Sequence, residues 1–176
     1  MKLQNVRLLA AAAALSLAAP IASAASVDVD LTDVDSFGFQ GDPGNTVLSL
    51  DIGAGSTITG ISWDITLAPV SPSWSEEAII GFTTDQGATD IQLFPGNQTS
   101  DPISDAGSLA FSLGTTDGMV NIEFYEVGFD DIAGGADATW GGTLTVEFDA
   151  AVVPVPAAVW LMGSGLLGLI GLRRRA

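Results

Sequence analysis

The chain has no cysteine and no histidine, and its 176 residues carry only five basic side chains. The missing thiols rule out disulfides, thiolate metal sites and cysteine nucleophiles. The missing imidazoles rule out histidine-based nucleophilic triads and His-ligated zinc. The basic residues are Lys2, Arg7, Arg173, Arg174 and Arg175, so residues 25–152 hold no cationic side chain. All 21 acidic residues lie between Asp28 and Asp149, which gives that stretch a formal charge of −21 (21 acids, no bases). Such a surface repels nucleic acid and lacks the Lys and Arg of phosphate cradles, so nucleic acid is excluded as a partner. The partners it attracts are cations, calcium and basic proteins included. The simpler alternative is an acidic coat that keeps an exported protein soluble.

Charge and hydropathy divide the chain into three parts. In residues 1–24, Lys2 and Arg7 precede an apolar run at 8–19, Pro20 breaks it, and Ala22-Ser23-Ala24 supplies small residues. That order predicts a secretory signal peptide cut by signal peptidase after Ala24, or next to it after Ala25, with Ala22 and Ala24 as the recognised small residues. Residues 25–152, about 128 in all, are enough for one domain with a single core. In residues 153–176 a proline pair leads into an uncharged stretch at 157–172 and then the arginine cluster. Sixteen residues of helix cover roughly 24 Å, against a hydrocarbon core of about 30 Å. Arg173, Arg174 and Arg175 set the cytoplasmic side, and Trp160 suits the opposite interface. Gly163, Gly165, Gly168 and Gly171 weaken the helix, while Pro154 and Pro156 keep the approach extended. The residues alone leave two readings open: a permanent single-pass anchor, or a segment presented to a membrane protease or transpeptidase.

The tail also resembles a known family. Val153, Pro154, Val155, Pro156, Ala157 and Ala158, then Val159-Trp160-Leu161, the glycine-leucine run from Gly163 to Leu169 and the terminal arginines are similar to the PEP-CTERM sorting signal of Gram-negative bacteria. Val155 stands where the family's name has glutamate. The resemblance implies recognition by exosortase, a multi-pass membrane enzyme that cuts near the proline motif. It also implies delivery to the cell surface or matrix of exopolysaccharide-producing, biofilm-forming bacteria. It covers about a seventh of the chain and does not extend to residues 25–150.

The central part alternates apolar and polar residues with period two, which predicts half-buried strands. Ile61, Trp63, Ile65 and Leu67 form one such set, as do Leu48, Leu50 and Ile52; Val120, Ile122 and Phe124; and Leu144, Val146 and Phe148. Shorter runs at 27–31, 78–82, 91–94 and 109–113 bring the count to eight. Turn clusters rich in Gly, Pro, Asn and Asp separate them, and 95–107 and 133–138 read as flexible loops. The expectation is an all-β, antiparallel β-sandwich of about eight strands, jelly-roll-like or Ig-like, flanked by the signal peptide and a C-terminal membrane helix. A break in parity after Ile58, at Gly60, predicts a bulge.

Three chemistries remain open for this domain. Calcium takes carboxylate and carbonyl oxygens, and the glycine-rich loop holding Asp130, Asp131 and Asp137 is the preferred candidate over Asp28, Asp30, Asp33 and Asp35. No other cofactor is implied. Glycan binding on aromatic rings points to Trp74 and Tyr125, with Trp63 and Trp140 sharing core parity. A carboxylate hydrolase would use outward acids such as Asp64, Glu123 and Glu147, but among 21 carboxylates a nearby pair arises by chance, so the expectation is no enzyme and no catalytic residue. The reading that follows is an exported structural or adhesive protein of the matrix. Its partners are signal peptidase and exosortase during processing, the membrane before release, and then exopolysaccharide or other matrix components. N-terminal sequencing of the exported protein is expected to start at Ala25; a start well before Ala22 overturns the signal-peptide reading.

Overall fold

The alternation closes into two antiparallel sheets whose apolar faces meet. The structure, a computed structural model, describes residues 23–86, 91–128, 134–151 and Met162. Its strands are β1 (Ala24–Asp30), β2 (Val34–Ser36), β3 (Thr46–Asp51), β4 (Thr57–Pro69), β5 (Ala78–Thr84), β6 (Ile91–Leu93), β7 (Ile103–Gly114), β8 (Met119–Glu126) and β9 (Ala138–Asp149). One sheet runs β1-β9-β4-β7, with β2 also on β9, and the other runs β3-β8-β5-β6. Apart from β2, each connection changes sheet except the β5–β6 hairpin, and this is the doubly wound Greek-key order of a jelly roll. Residues 23–151 form one compact unit. Among the described residues no helix is long and apolar enough to cross a membrane. Apart from Met162, the tail helix expected at 157–172 lies outside them, as does the signal peptide expected at 1–24 apart from Ser23 and Ala24.

Each of the eight periodic runs falls on a strand, and the core is made of the residues whose parity placed them inward. Ile61, Ile65, Leu67, Leu144 and Val146 line one inner face, and Ile80, Phe82, Val120, Ile122 and Phe124 line the other. Phe124 and Trp140 close the gap between the sheets edge to face, with centroids 5.6 Å apart. The bulge lies where parity broke, as a register shift between Ile58 and Gly60 against both β7 and β9.

Two expectations need correction. Residues 103–107, expected in a flexible loop, form the first half of β7 and pair with β4 from Leu67 to Trp63. Their Ser, Ala and Gly content reads as loop, yet two-sided backbone pairing on β4 recruits them into the sheet. The ninth strand, β2, is too short to show a period. It continues the β1 edge of β9 after an interruption at 31–33, where Asp33 takes φ 58°, a left-handed conformation that Asp tolerates.

The strand registers give the sandwich two distinct ends. Ala24, Asp149, Thr57 and Gly114 lie in one row at one end, and the N–H of Ala150 donates to the carbonyl of Ser23 at 3.1 Å. The described chain therefore enters and leaves side by side. Beside this row, Asp85 ties β5 to the turn after β7: it accepts from the Thr116 N–H at 2.8 Å, from the Thr116 hydroxyl, and from the Thr115 hydroxyl at 3.0 Å. Donation from the Thr116 hydroxyl, then from its N–H, lowers the Asp85 pKa from 3.8 to about 2. The stabilisation it contributes is thus complete above the unfolded-state pKa and lost as pH falls through the folded value. Thermal unfolding of wild type against Asp85→Asn is expected to differ most above about pH 4 and to converge only below about pH 2. A midpoint difference independent of pH would refute this role.

Candidate functional site

The opposite end of the sandwich carries loops 37–45, 70–77 and 94–102 and the approach to β9. Four of the large apolar side chains exposed on the body sit there: Phe39 at 53%, Val70 at 40%, Trp74 at 45% and Phe94 at 56%. Only Val47 on β3 and Leu109 on β7 match them elsewhere among residues 23–151 that are described. Isolated exposed apolar residues are ordinary, whereas a set gathered on one loop end is informative.

The loops that display these side chains are held by polar groups. Asn45 organises the first: its Oδ1 accepts from the N–H groups of Phe37 and Gly38, and its Nδ2 donates to the Phe39 carbonyl at 2.8 Å and to Glu123 at 2.9 Å. Glu123 also accepts from the Gly41 N–H at 2.6 Å, so an acid on β8 fixes the loop that bears Phe39. In the second loop the Trp74 N–H donates to Glu77 Oε2 at 2.8 Å, and the Glu77 N–H returns to the Trp74 carbonyl. Ser75 joins the second loop to the third, donating its N–H to the Thr99 carbonyl and its hydroxyl to the Asn97 carbonyl.

Beneath these loops lies a buried polar layer. Glu126 and Asp137 are almost wholly inaccessible, at 1% and 0%. The Ser36 hydroxyl donates to Glu126 Oε1 at 2.5 Å, the Glu126 N–H donates to the Gly38 carbonyl, and the Asp137 N–H donates to the Ser36 carbonyl. Together they join β2, β8 and β9, and so both sheets, under the aromatic surface.

The structure separates the site residues expected from sequence. Ala24 is exposed at the first position of β1. Ala22, Val153, Pro154, Val155, Pro156, Ala157, Ala158, Trp160, Arg173, Arg174 and Arg175 lie outside the described residues, as do Asp130 and Asp131. Asp137 is not on an exposed loop as expected but buried in the layer just described. Among the described residues no three acidic side chains converge into a metal-holding group. The N-terminal acids are engaged one at a time, Asp28 by Thr145, Asp30 by Thr32 and Asp35 by Thr139. Trp74 is exposed as expected.

Tyr125 is a correction. It is 1% exposed, on the face of β8 away from the core, where its ring covers Gly81; a Cβ on Gly81 would lie 2.8 Å from the ring. Its hydroxyl accepts from Gln92 Nε2 at 2.6 Å. Alternation assigned it to the wet face correctly, but the missing side chain at Gly81 makes a slot that the ring fills. The three outward acids do not line one face either. Glu123 belongs to the other sheet from Asp64 and Glu147, and the last two lie about four residues apart along neighbouring strands, roughly 13 Å, too far for a glycosidase pair. Phe39 and Phe94 were missed. Phe94 was read as the end of a strand, although Pro95 directly after it marks a turn, and Phe39 sits within Gly38-Phe39-Gln40-Gly41, which no buried strand would contain.

No protein-family model matches the chain, and no curated protein matches it. Solved structures of similar shape include the VP2 subviral particle of infectious bursal disease virus, with 16% identity over 74% of this chain and 34% of that one, at a TM-score of 0.41. Dimeric latent PorU from Porphyromonas gingivalis is 5% identical over 79% of this chain and 15% of that one, at 0.43. Turnip yellow mosaic virus is 12% identical over 79% and 86%, at 0.28. The chain spans about a third of the length of VP2. At these scores and identities the likenesses carry no functional weight. Tyr125→Phe is expected to lower stability by about 1 kcal/mol, the net value of one hydrogen bond, read as a fall in the unfolding midpoint. An unchanged midpoint would remove the Gln92 bond from the fold's energetics.

Proposed function

We propose that the protein is an exported, non-enzymatic component of the cell surface or extracellular matrix. It is carried there by its signal peptide and an exosortase-type sorting tail, and it adheres through the loop end that bears Phe39, Trp74 and Phe94. The observation that carries this reading is the opposition of the two ends. The described chain enters and leaves at Ser23 and Ala151 on one end, while the exposed aromatic residues are displayed on the other. A tail that follows Ala151 joins the domain on the end away from the aromatic loops. The order of proline pair, apolar stretch and arginine cluster supports the sorting step, and the complete lack of cations in residues 25–152 supports a partner that is not a polyanion.

The partner that fits rings on a polar, acidic surface is a neutral polysaccharide of the matrix. Sugar rings pack their apolar faces on aromatic side chains, while a polyanionic glycan would meet the field of 21 carboxylates. The wild-type protein is expected to be retarded in native gels that contain neutral matrix glycan. Trp74→Ala and Phe94→Ala are each expected to weaken that retention about tenfold, corresponding to about 1.4 kcal/mol, with little change in unfolding midpoint. Retention equal in wild type and both variants would sink the adhesive end. Sorting is tested separately. In a host with an exosortase, mass spectrometry should find the mature protein without Arg173–175, and a Pro154→Ala, Pro156→Ala variant should keep them. Retention of the arginines in both proteins would leave a permanent anchor instead.

A further inference from the structure

A sandwich of two open sheets has free edges, and each edge here differs in length and charge. Among the described residues β7 pairs only with β4, so its outer row of N–H and C=O groups has no strand beside it. The other edges are defended in the usual ways. β6 has three residues. β1 has Asp28 and Asp30 on its wet face and breaks at 31–33 before β2. β3 has six residues and ends on Asp51. β7 has twelve, and from Ala106 to Gly114 it carries neither charge nor proline, within a region whose formal charge is −21.

The regular part of this edge is well suited to another strand. Residues 103–110 pair with β4 in unbroken register up to the bulge, a length of about 26 Å. The side chains on its wet face, Ser104, Ala106, Ser108 and Ala110, are small and exposed. Its one carboxylate, Asp105, lies opposite Ile65 on the inner face, and its Oδ2 accepts from Trp63 Nε1 at 2.6 Å. The Trp63 ring lies on Gly107, where a Cβ would come within 2.6 Å of it, and this backs the middle of the strand with a rigid plate.

We propose that this edge is a self-association surface, on which β7 pairs antiparallel with β7 of a second copy. The charge pattern selects that occupant. A basic partner would be drawn to the carboxylate-bearing surfaces rather than to an uncharged strand, and two like copies repel everywhere except where charge is missing. Antiparallel pairing about a two-fold axis at Gly107 sets Ala106 opposite Ser108 of the other copy, and each strand satisfies the other's exposed backbone. In that register the two Asp105 carboxylates are offset by four residues, roughly 13 Å, which exceeds the Debye length of about 8 Å at physiological salt.

The absence of cysteine makes the test clean, because any disulfide in a variant reports a designed position. In the full-length chain in detergent, Ala106→Cys with Ser108→Cys is expected to give a covalent dimer on oxidation, more of it as salt rises and repulsion is screened. Val47→Cys, on the exposed edge strand β3, is expected to form no covalent dimer. Dimer from both, or from neither, overturns the proposal. A second measurement does not depend on the cysteine variants folding. Sedimentation of the cysteine-free chain should show a dimer that Ser108→Asp shifts to half the mass, while Val47→Asp, adding the same charge on the β3 edge, leaves it dimeric. Equal behaviour of the two aspartate variants would assign any association to net charge or to the tail, and the edge would have no role.

Discussion

Every carboxylate in this domain has to be accommodated without a basic side chain, and much of the polar architecture follows from that constraint. Between Asp28 and Asp149 there is no Lys, Arg or His, so hydroxyl, amide and indole groups serve as donors. Asp28 takes Thr145, Asp35 takes Thr139, Asp85 takes Thr115 and Thr116, Glu123 takes Asn45, and Asp105 takes Trp63. Several of these bonds join segments far apart in sequence, so the acids act as cross-links between strands and loops. Neutral donors cannot cancel the charge, and what is left is a long-range repulsion that the core has to outweigh.

The buried acids show the constraint at its sharpest. Burying a carboxylate is costly unless hydrogen bonds replace its water. Glu126 receives the Ser36 hydroxyl, and the Ser36 carbonyl in turn receives the Asp137 N–H, so the acids are drawn into a layer that links β2, β8 and β9. That layer sits below the loops that display Phe39 and Trp74. The most polar part of the interior therefore supports the most apolar part of the surface. The jelly-roll winding is what puts them at the same end, because it returns every second connection to one side of the sandwich.

Much of the fold was legible because period-two alternation records which face of a strand is dry. Ile61, Ile65, Leu144, Val146, Ile122 and Phe124 were placed inward by parity alone and are buried. The bulge at Gly60 was legible for the same reason, since it interrupts parity. The first half of β7 was not, because Ser104, Ala106, Gly107 and Ser108 have no apolar alternation to read. Tyr125 was misread because parity names a face of the sheet but not what covers that face. The loop site was legible only in part: Trp74 was singled out, while Phe39 and Phe94 were not, since an aromatic residue beside Gly or Pro carries no period.

What the sequence by itself determined is therefore local and compositional. The absent cysteines, histidines and internal cations limit the chemistry, and alternation sets strand identity, facing and an antiparallel sandwich. The tertiary structure decided what depends on partners distant in the chain: which strands share a sheet, which acids share a face, and which end displays the aromatic loops. It placed Glu123 in a different sheet from Glu147, buried Tyr125 over Gly81, and left β7 as a long uncharged edge. The physical reason is that alternation reports a residue's own environment along one strand. Neighbours across a sheet are chosen by chain winding and register, which no short window of sequence contains.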